Sequence, residues 1–430
     1  MPCKRINPAT VLLAGMLLMA GCGSCRSAKG QPADAPCTYV KMTVKVPSRL
    51  KLTALELHPL SVGPALAARS LDGLSGTAEL TDTLREPQTE PIVAFLQMDD
   101  GSLWTARLED GAILPDGGRS FQVEPVRLEE KDQPSDIKAE LMQQHRLTIP
   151  SGEYSGITPV QEDVYAVVHD NARGAGLYLL GNNSFQECPG NAAQAEGNDN
   201  EDVVYVPSSG TFFVSSEKHQ SIREYTLEGV PTGRELHIPE DLKAIQGNAG
   251  FESLAYDAAR GHFWTMTEKA LKDEGLHPRL LRLQRFSDRT LEPDARYLYL
   301  MGAPRMGEAQ TKGASAYTAG VSAMTALEDG RLVVLEREVY VPGGGVIEKA
   351  LGSFTVASLY VVDPLHDKAG ILEKKLLQRI VTSALNLANY EGLCLGPRLA
   401  DGRQTLLLIA DSQGGKNGLT AEFLQILAFN

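Results

Sequence analysis

The chain has 430 residues, a net charge of −13, 43% hydrophobic and 22% charged residues. It is long enough for two domains, and its composition excludes a disordered, fibrous or coiled-coil protein. Its acidity disfavours nucleic acid and anionic lipid headgroups as partners and suits cations better.

Lys4 and Arg5 precede an apolar run from Ala9 to Ala20, which meets Met19-Ala20-Gly21-Cys22. The run is shorter than the roughly 20 residues that span a bilayer, and small residues stand before the cysteine. The pattern resembles a bacterial lipoprotein signal peptide. That resemblance implies removal of residues 1–21, a lipid on Cys22, and an envelope location, with the outer membrane facing the periplasm preferred and surface exposure left open. Cleavage removes Lys4 and Arg5 and shifts the net charge from −13 to −15. Residues 22–38 are small and polar and read as a flexible tether. Cys25, Cys37, Cys188 and Cys394 remain in a compartment that permits disulfides, with no pairing chosen by the sequence.

Residues 39–130 contain short alternating segments, among them TVKV, LTALEL, PIVAFLQM and SLWTARL, broken by Pro, Gly and Asp. This is the pattern of a small β-rich, sandwich-like domain, although Ile92 to Leu128 also reads as an extra propeller blade. Residues 131–144 lie in a highly polar stretch, EEKDQPSDIKAELMQQ. Ser135 is placed to cap a short helix there, and the stretch is expected to be a linker.

From residue 145 onward one plan recurs. An inner strand is followed by a turn and a second strand that ends in an acid: VVYVP to FFVSSE, SLAYD to WTMTE, and AMTAL to LVVLE. The unit starts, Ser155, Glu201, Glu252, Ser322 and Glu391, are 46, 51, 70 and 69 residues apart. Five four-stranded repeats are visible, and the two wide gaps leave room for a sixth. The fold expected is all-β: a β-propeller over residues 145–430 preceded by the small sandwich. The last repeat lacks a fourth strand, so HRLTIP at 145–150 is expected to close the ring by pairing with it.

The start of one antiparallel strand lies beside the end of the next. Acids at these positions therefore gather on one rim of the channel: Asp170, Glu201, Asp202, Glu217, Glu252, Glu268, Glu336, Glu391 and Asp411. Carboxylates so close need a positive partner. Ca²⁺ or another divalent cation fits such a set, and so does pairing with Arg or Lys from neighbouring blades. His169 and His219 lie near the rim as a general base or phosphate contact, or as exposed loop histidines. Arg173, Lys218 and Lys269 follow rim acids.

GFESLAYD with WTMTE, NYEGLCLG with TLLLIADS, and EYSGITP with YAVVHD resemble the esterase-like phytase family over Glu153 to Asn430. The resemblance implies a β-propeller in secreted or envelope-anchored bacterial proteins that hydrolyses an ester or phosphoester. Ser253 stands where the family usually has Gly, and the fourth repeat begins Ser322-Ala323 without an acid. The first reading is a metal-dependent hydrolase using Glu252, Glu268, Glu391, Asp411 and His169 on a small ester or phosphoester. The second is a non-catalytic propeller that binds a glycan, peptide or envelope partner, and the third a lactonase-like enzyme with one central metal. A monomer is expected. There is no Gly-x-Ser-x-Gly elbow, His-Glu-x-x-His motif or phosphate-binding loop.

Overall fold

The computed structural model describes residues 39–430 except 85–90, 110, 116–117, 129–130, 148–153, 162–163, 170–175, 182–185, 188–192, 195–198, 244–248, 272–277, 307–310, 368, 384–385 and 412–421, and excepting side chains between 176 and 194. The leader, Cys22, the tether, Cys25, Cys37, Cys188, Asp170 and Arg173 lie outside the described residues. The chain divides into two compact units. One runs to Glu130 and includes Asp273–Leu280 and His366–Leu372; the other comprises Lys131–Lys272, Leu281–Leu365 and Glu373–Asn430.

In the first unit, Tyr39–Lys45 buries Val40, Met42 and Val44 on alternate positions, the period of a strand with one covered face. It pairs antiparallel with Thr77–Thr83 and parallel with Arg119–Val123. A second sheet centres on Leu52–Pro59, flanked by Ala67–Leu74 and Ile92–Met98, with Leu103–Leu108 beyond. Both sheets contribute to one core that contains Val40, Met42, Leu55, Leu57, Leu96 and Phe121. This is the expected sandwich. Ile92–Met98 is paired inside it, so this stretch is not an extra blade.

Among the described residues the second unit holds five sheets. The inner strands are Tyr154–Gln161, Asn200–Val206, Phe251–Asp257, Ala314–Ala326 and Asn389–Leu395, and each begins a meander outward through its own sheet. Each inner strand contacts the next, and the fifth contacts the first. Among the described residues the fold is a five-bladed propeller. The wide gaps before and after Ser322 hold no sixth blade among those residues; they include the long strands Ala314–Ala326 and Leu332–Pro342 and the helix Val346–Gly352. Blades pack through apolar faces, for example Tyr154, Ile157 and Val167 of the first against Leu407, Ile409 and Leu424 of the fifth. Cys394 in that seam is a buried free thiol.

Ring closure differs in register from the expectation. The strand that completes the fifth blade is Ala139–Arg146, antiparallel to Phe423–Phe429, with a bulge between Leu141 and Gln143. Gln133–Pro134 pairs parallel with Lys374–Ser383 of the fourth blade. The polar stretch expected to be a helical linker is thus β structure. Its outer position explains the misreading: Ala139–Arg146 is mostly exposed, so its side chains are polar and carry little alternation.

All five inner strands bulge, four near their starts at Tyr154/Ile157, Asn200/Val203, Phe251/Ser253 and Tyr390/Gly392, and the longer fourth strand past its middle at Val321/Ala323. The bulge residues include Ser155, Glu201, Glu252, Ser322 and Glu391, the five positions at which the repeats start. A bulge kinks the strand and re-aims its side chain, and here it brings neighbouring backbones close. A Cβ on Gly156 would lie 2.5 Å from the Asp202 Cα in the next blade. Gly156→Ala is therefore expected to cost about 1–3 kcal/mol, the usual penalty for overpacking, read as a lower melting midpoint.

Candidate functional site

The second strands set the other half of the rim. Glu217 and Glu268 each donate their backbone N–H to the residue just before the inner strand, Asp199 and Gly250. Asp411 pairs with Asn389 at the equivalent place. In the fourth blade the matching pair is Gly320 with Arg337, and Glu336 pairs one step deeper, with Val321. The fourth occupant of the rim position is thus Arg337, not Glu336. Successive strand residues face opposite sides, so Glu336 is directed elsewhere. It accepts hydrogen bonds from Tyr299 Oη at 2.6 Å, Gly302 N at 2.9 Å and Lys374 Nζ at 2.5 Å.

A sequence signal for Arg337 exists. The second strands YAVVHD, FFVSSE, FWTMTE and LLLIAD each end on their sixth residue, and the same count in the fourth repeat, LVVLER, lands on Arg337. Stopping at the acid in LVVLE breaks the register by one.

Arg337 gathers carboxylates from its two neighbouring blades. Its Nη2 lies 3.2 Å from Glu252 Oε2 and 3.4 Å from Glu268 Oε1, and its Nη1 pairs with Glu391 Oε1. Thr318 Oγ1 donates to Glu268 at 3.1 Å, Lys269 Nζ sits 2.9 Å from the other Glu268 oxygen, and Asn389 Nδ2 donates to Glu391 at 2.7 Å. Burial acts against the guanidinium charge, but Glu252, Glu268, Glu201 and Asp411 outweigh it and hold Arg337 protonated beyond its ordinary range. Glu252 responds oppositely. Burial, with repulsion from Glu268 and Glu217, overcomes the attraction of Arg337 and pushes its carboxyl up to about 8, leaving it largely a neutral acid at neutral pH.

The other expected site residues divide. Asp202 is buried and accepts backbone N–H bonds from Val203 at 2.8 Å and Leu254 at 2.7 Å, while burial raises its carboxyl well above the usual range. Glu217 accepts from Gly250 N at 2.6 Å. Both tie the second blade to the third. Asp411 is buried at the rim position and contributes to the field on Arg337. His169 is buried against the Tyr154 ring rather than exposed in a loop; it pairs with Tyr154 at the strand end, one step deeper than the rim. His219 is exposed.

Among the described residues, several buried polar atoms at this end have no hydrogen-bond partner: Ser155 Oγ, both side-chain polar atoms of Asn200, Asn389 Oδ1 and Arg337 Nε. Leaving such groups unpaired is costly. As to a metal, no group of three or more His, Cys, Asp or Glu among the described residues has a metal-holding arrangement. Three of the expected ligands instead face a guanidinium, whose charge would repel a dication, so the described rim does not fit the oxygen cage that Ca²⁺ takes.

No curated protein matches the sequence. Solved structures similar to the chain include a member of the DUF4221 family from Bacteroides vulgatus at 8% identity and TM-score 0.38, covering 70% of this chain and 99% of that one. The β-propeller domain of Cps50 (Swd1) from Myceliophteria thermophila aligns at 11% identity and TM-score 0.33, covering 67% and 99%. The WD40 domain of Toxoplasma gondii coronin aligns at 12% and 0.32, covering 69% and 88%. The Phytase-like family model, described as esterase-like activity of phytase, matches residues 95–413, beginning earlier than the Glu153 at which the resemblance was read. With well over half of the sequence matched, the chain belongs to the Phytase-like family.

Proposed function

We propose that the propeller rim hydrolyses esters, with Glu252 as the acid–base group and Arg337 supplying the positive charge that a metal was expected to supply. The observation that carries this reading is the convergence of Glu252, Glu268 and Glu391 on one buried arginine, with burial and the repulsion of Glu268 and Glu217 raising the Glu252 carboxyl. Carboxyls whose environments push them apart divide acid and base roles. In the proposed step a water oxygen bonds to the acyl carbon and its proton passes to ionised Glu391. The bond to the leaving alkoxy oxygen breaks as Glu252 delivers its proton there. Arg337 stabilises the oxyanion between these events. The proton returns from Glu391 to Glu252 through solvent.

The test uses the mature soluble chain and p-nitrophenyl acetate. Turnover is expected, unchanged by chelator. Loss of turnover on chelation, with recovery on adding Ca²⁺, would replace this mechanism by a metal-dependent one. No turnover above the Glu252→Gln variant would leave a binding propeller. A lipid on Cys22, holding the protein at the outer membrane, belongs to the same proposal: Cys22→Ser should abolish palmitate labelling and move the protein from the membrane fraction to the soluble one.

A further inference from the structure

Asn389 combines a contact to the proposed base with an unused acceptor. Its Nδ2 donates to Glu391 Oε1 at 2.7 Å, while its Oδ1 is buried without a hydrogen-bond partner; the whole residue is 5% exposed. The two ends of an amide differ in kind, since the nitrogen only donates and the oxygen only accepts. An ionised carboxylate also only accepts, so Glu391 takes the nitrogen and thereby fixes which way the amide is turned. Oδ1 is left as an oriented acceptor beside the base. A buried acceptor left unpaired is costly, and water is the usual partner where protein groups supply none.

The fold confines this arrangement to one blade. Asn389 is the residue paired with Asp411 at the rim. The equivalent places in the second, third and fourth blades are held by Asp199, Gly250 and Gly320. An aspartate has no amide and a glycine has no side chain. Among the described residues, therefore, only the fifth blade places an amide at this position next to a bulge carboxylate. Ser155 and Asn200 carry unpartnered groups as well, but neither is bonded to the cluster around Arg337 as Asn389 is.

Resting on the ester-hydrolase reading above, we infer that Asn389 positions the hydrolytic water. The water donates one hydrogen to Asn389 Oδ1 and the other to Glu391 Oε2, the carboxylate oxygen away from the contacts that Asn389 and Arg337 make with Oε1. Two neighbouring acceptors select a molecule that donates twice. With both hydrogens so held, a lone pair of the water oxygen is left to face the acyl carbon. As the oxygen bonds to that carbon, the hydrogen on Oε2 passes to Glu391, and the hydrogen on Oδ1 stays with the oxygen that becomes the hydroxyl of the acid. Asn389 exchanges no proton; its part is orientation.

The test sets water against methanol, which has a single O–H to donate, using p-nitrophenyl acetate and the mature soluble chain. Acetate and methyl acetate are counted after subtraction of the uncatalysed rates. The wild-type protein is expected to favour water. Asn389→Ala should lower kcat for hydrolysis by about ten- to a hundredfold with KM little changed, and should raise the share of methyl acetate several-fold, because the second acceptor that distinguishes water from methanol is gone. A lowered kcat with an unchanged product ratio would make Asn389 a brace for Glu391 and overturn the inference. A crystal structure of the wild-type protein reads the water without any variant: its oxygen should stand about 2.5–3.0 Å from both Asn389 Oδ1 and Glu391 Oε2. A water on only one of the two oxygens, or on neither, would overturn the inference and leave the hydrolase reading to be judged by turnover. Turnover no higher than in Glu252→Gln would end the hydrolase reading itself, and a water seen between the two oxygens would then have no hydrolytic role.

Discussion

Replacing Arg337 with methionine should lower the melting temperature by roughly 10 °C. Removing one member of a buried charge network leaves the others uncompensated and typically costs about 3–5 kcal/mol. For a domain of this size each kcal/mol shifts the midpoint by about 2–4 °C. Here Glu252, Glu268 and Glu391 would lose the guanidinium they share. Arg337→Lys should recover only part of the loss, because an ammonium is a point charge and cannot fork to acids on both neighbouring blades. Adding Glu391→Gln to Arg337→Met should restore stability, since the two positions share one network and their effects do not add. Thermal melts of the four proteins check this, and a midpoint unchanged in Arg337→Met would remove the arginine from the centre of the site.

Glu252→Gln is expected to reduce kcat on p-nitrophenyl acetate by about 10²–10⁴, the usual contribution of a positioned acid–base group, while stability near pH 8 is kept or raised. The sign follows from the direction of its shift. The Glu252 carboxyl is raised in the folded protein to about 8, so between its unfolded value and about 8 the folded state holds a proton that the unfolded state has lost. The stability linked to that proton is fully present below the unfolded value and is lost as pH rises through about 8. The slope can reach about 1.4 kcal/mol per pH unit. Glutamine removes this dependence, so the variant's stability should vary less between pH 5 and 8. Asp202, also raised by burial, leaves a residual slope of the same sign in both proteins. Denaturant melts across that range test the assignment: parallel pH profiles would show that Glu252 does not hold its proton in the folded protein.

The repeat was legible because a propeller blade writes itself locally. Apolar alternation in FFVSSE, FWTMTE and LLLIAD marks second strands, and the turns that precede them mark hairpins. The same local signal marks the sandwich strands, whose alternate residues meet one core. It fails for Ala139–Arg146, because an exposed outer strand does not need alternation. It also fails in the fourth repeat, where an acid next to an arginine conceals which of the two occupies the rim.

By itself, then, the order of residues determined the kind of fold, the positions where each blade starts, and the end of the ring at which the acids gather. These depend on short-range periodicity, which the chain carries locally. Only the tertiary structure decided that the ring has five members among the described residues, that the strand completing the last blade is Ala139–Arg146, and that Glu252, Glu268 and Glu391 meet Arg337. Those results depend on bulges, strand register and contact between blades far apart in sequence. A shift of one residue in register exchanges Glu336 for Arg337 and turns an all-acid rim into one with an arginine at its centre.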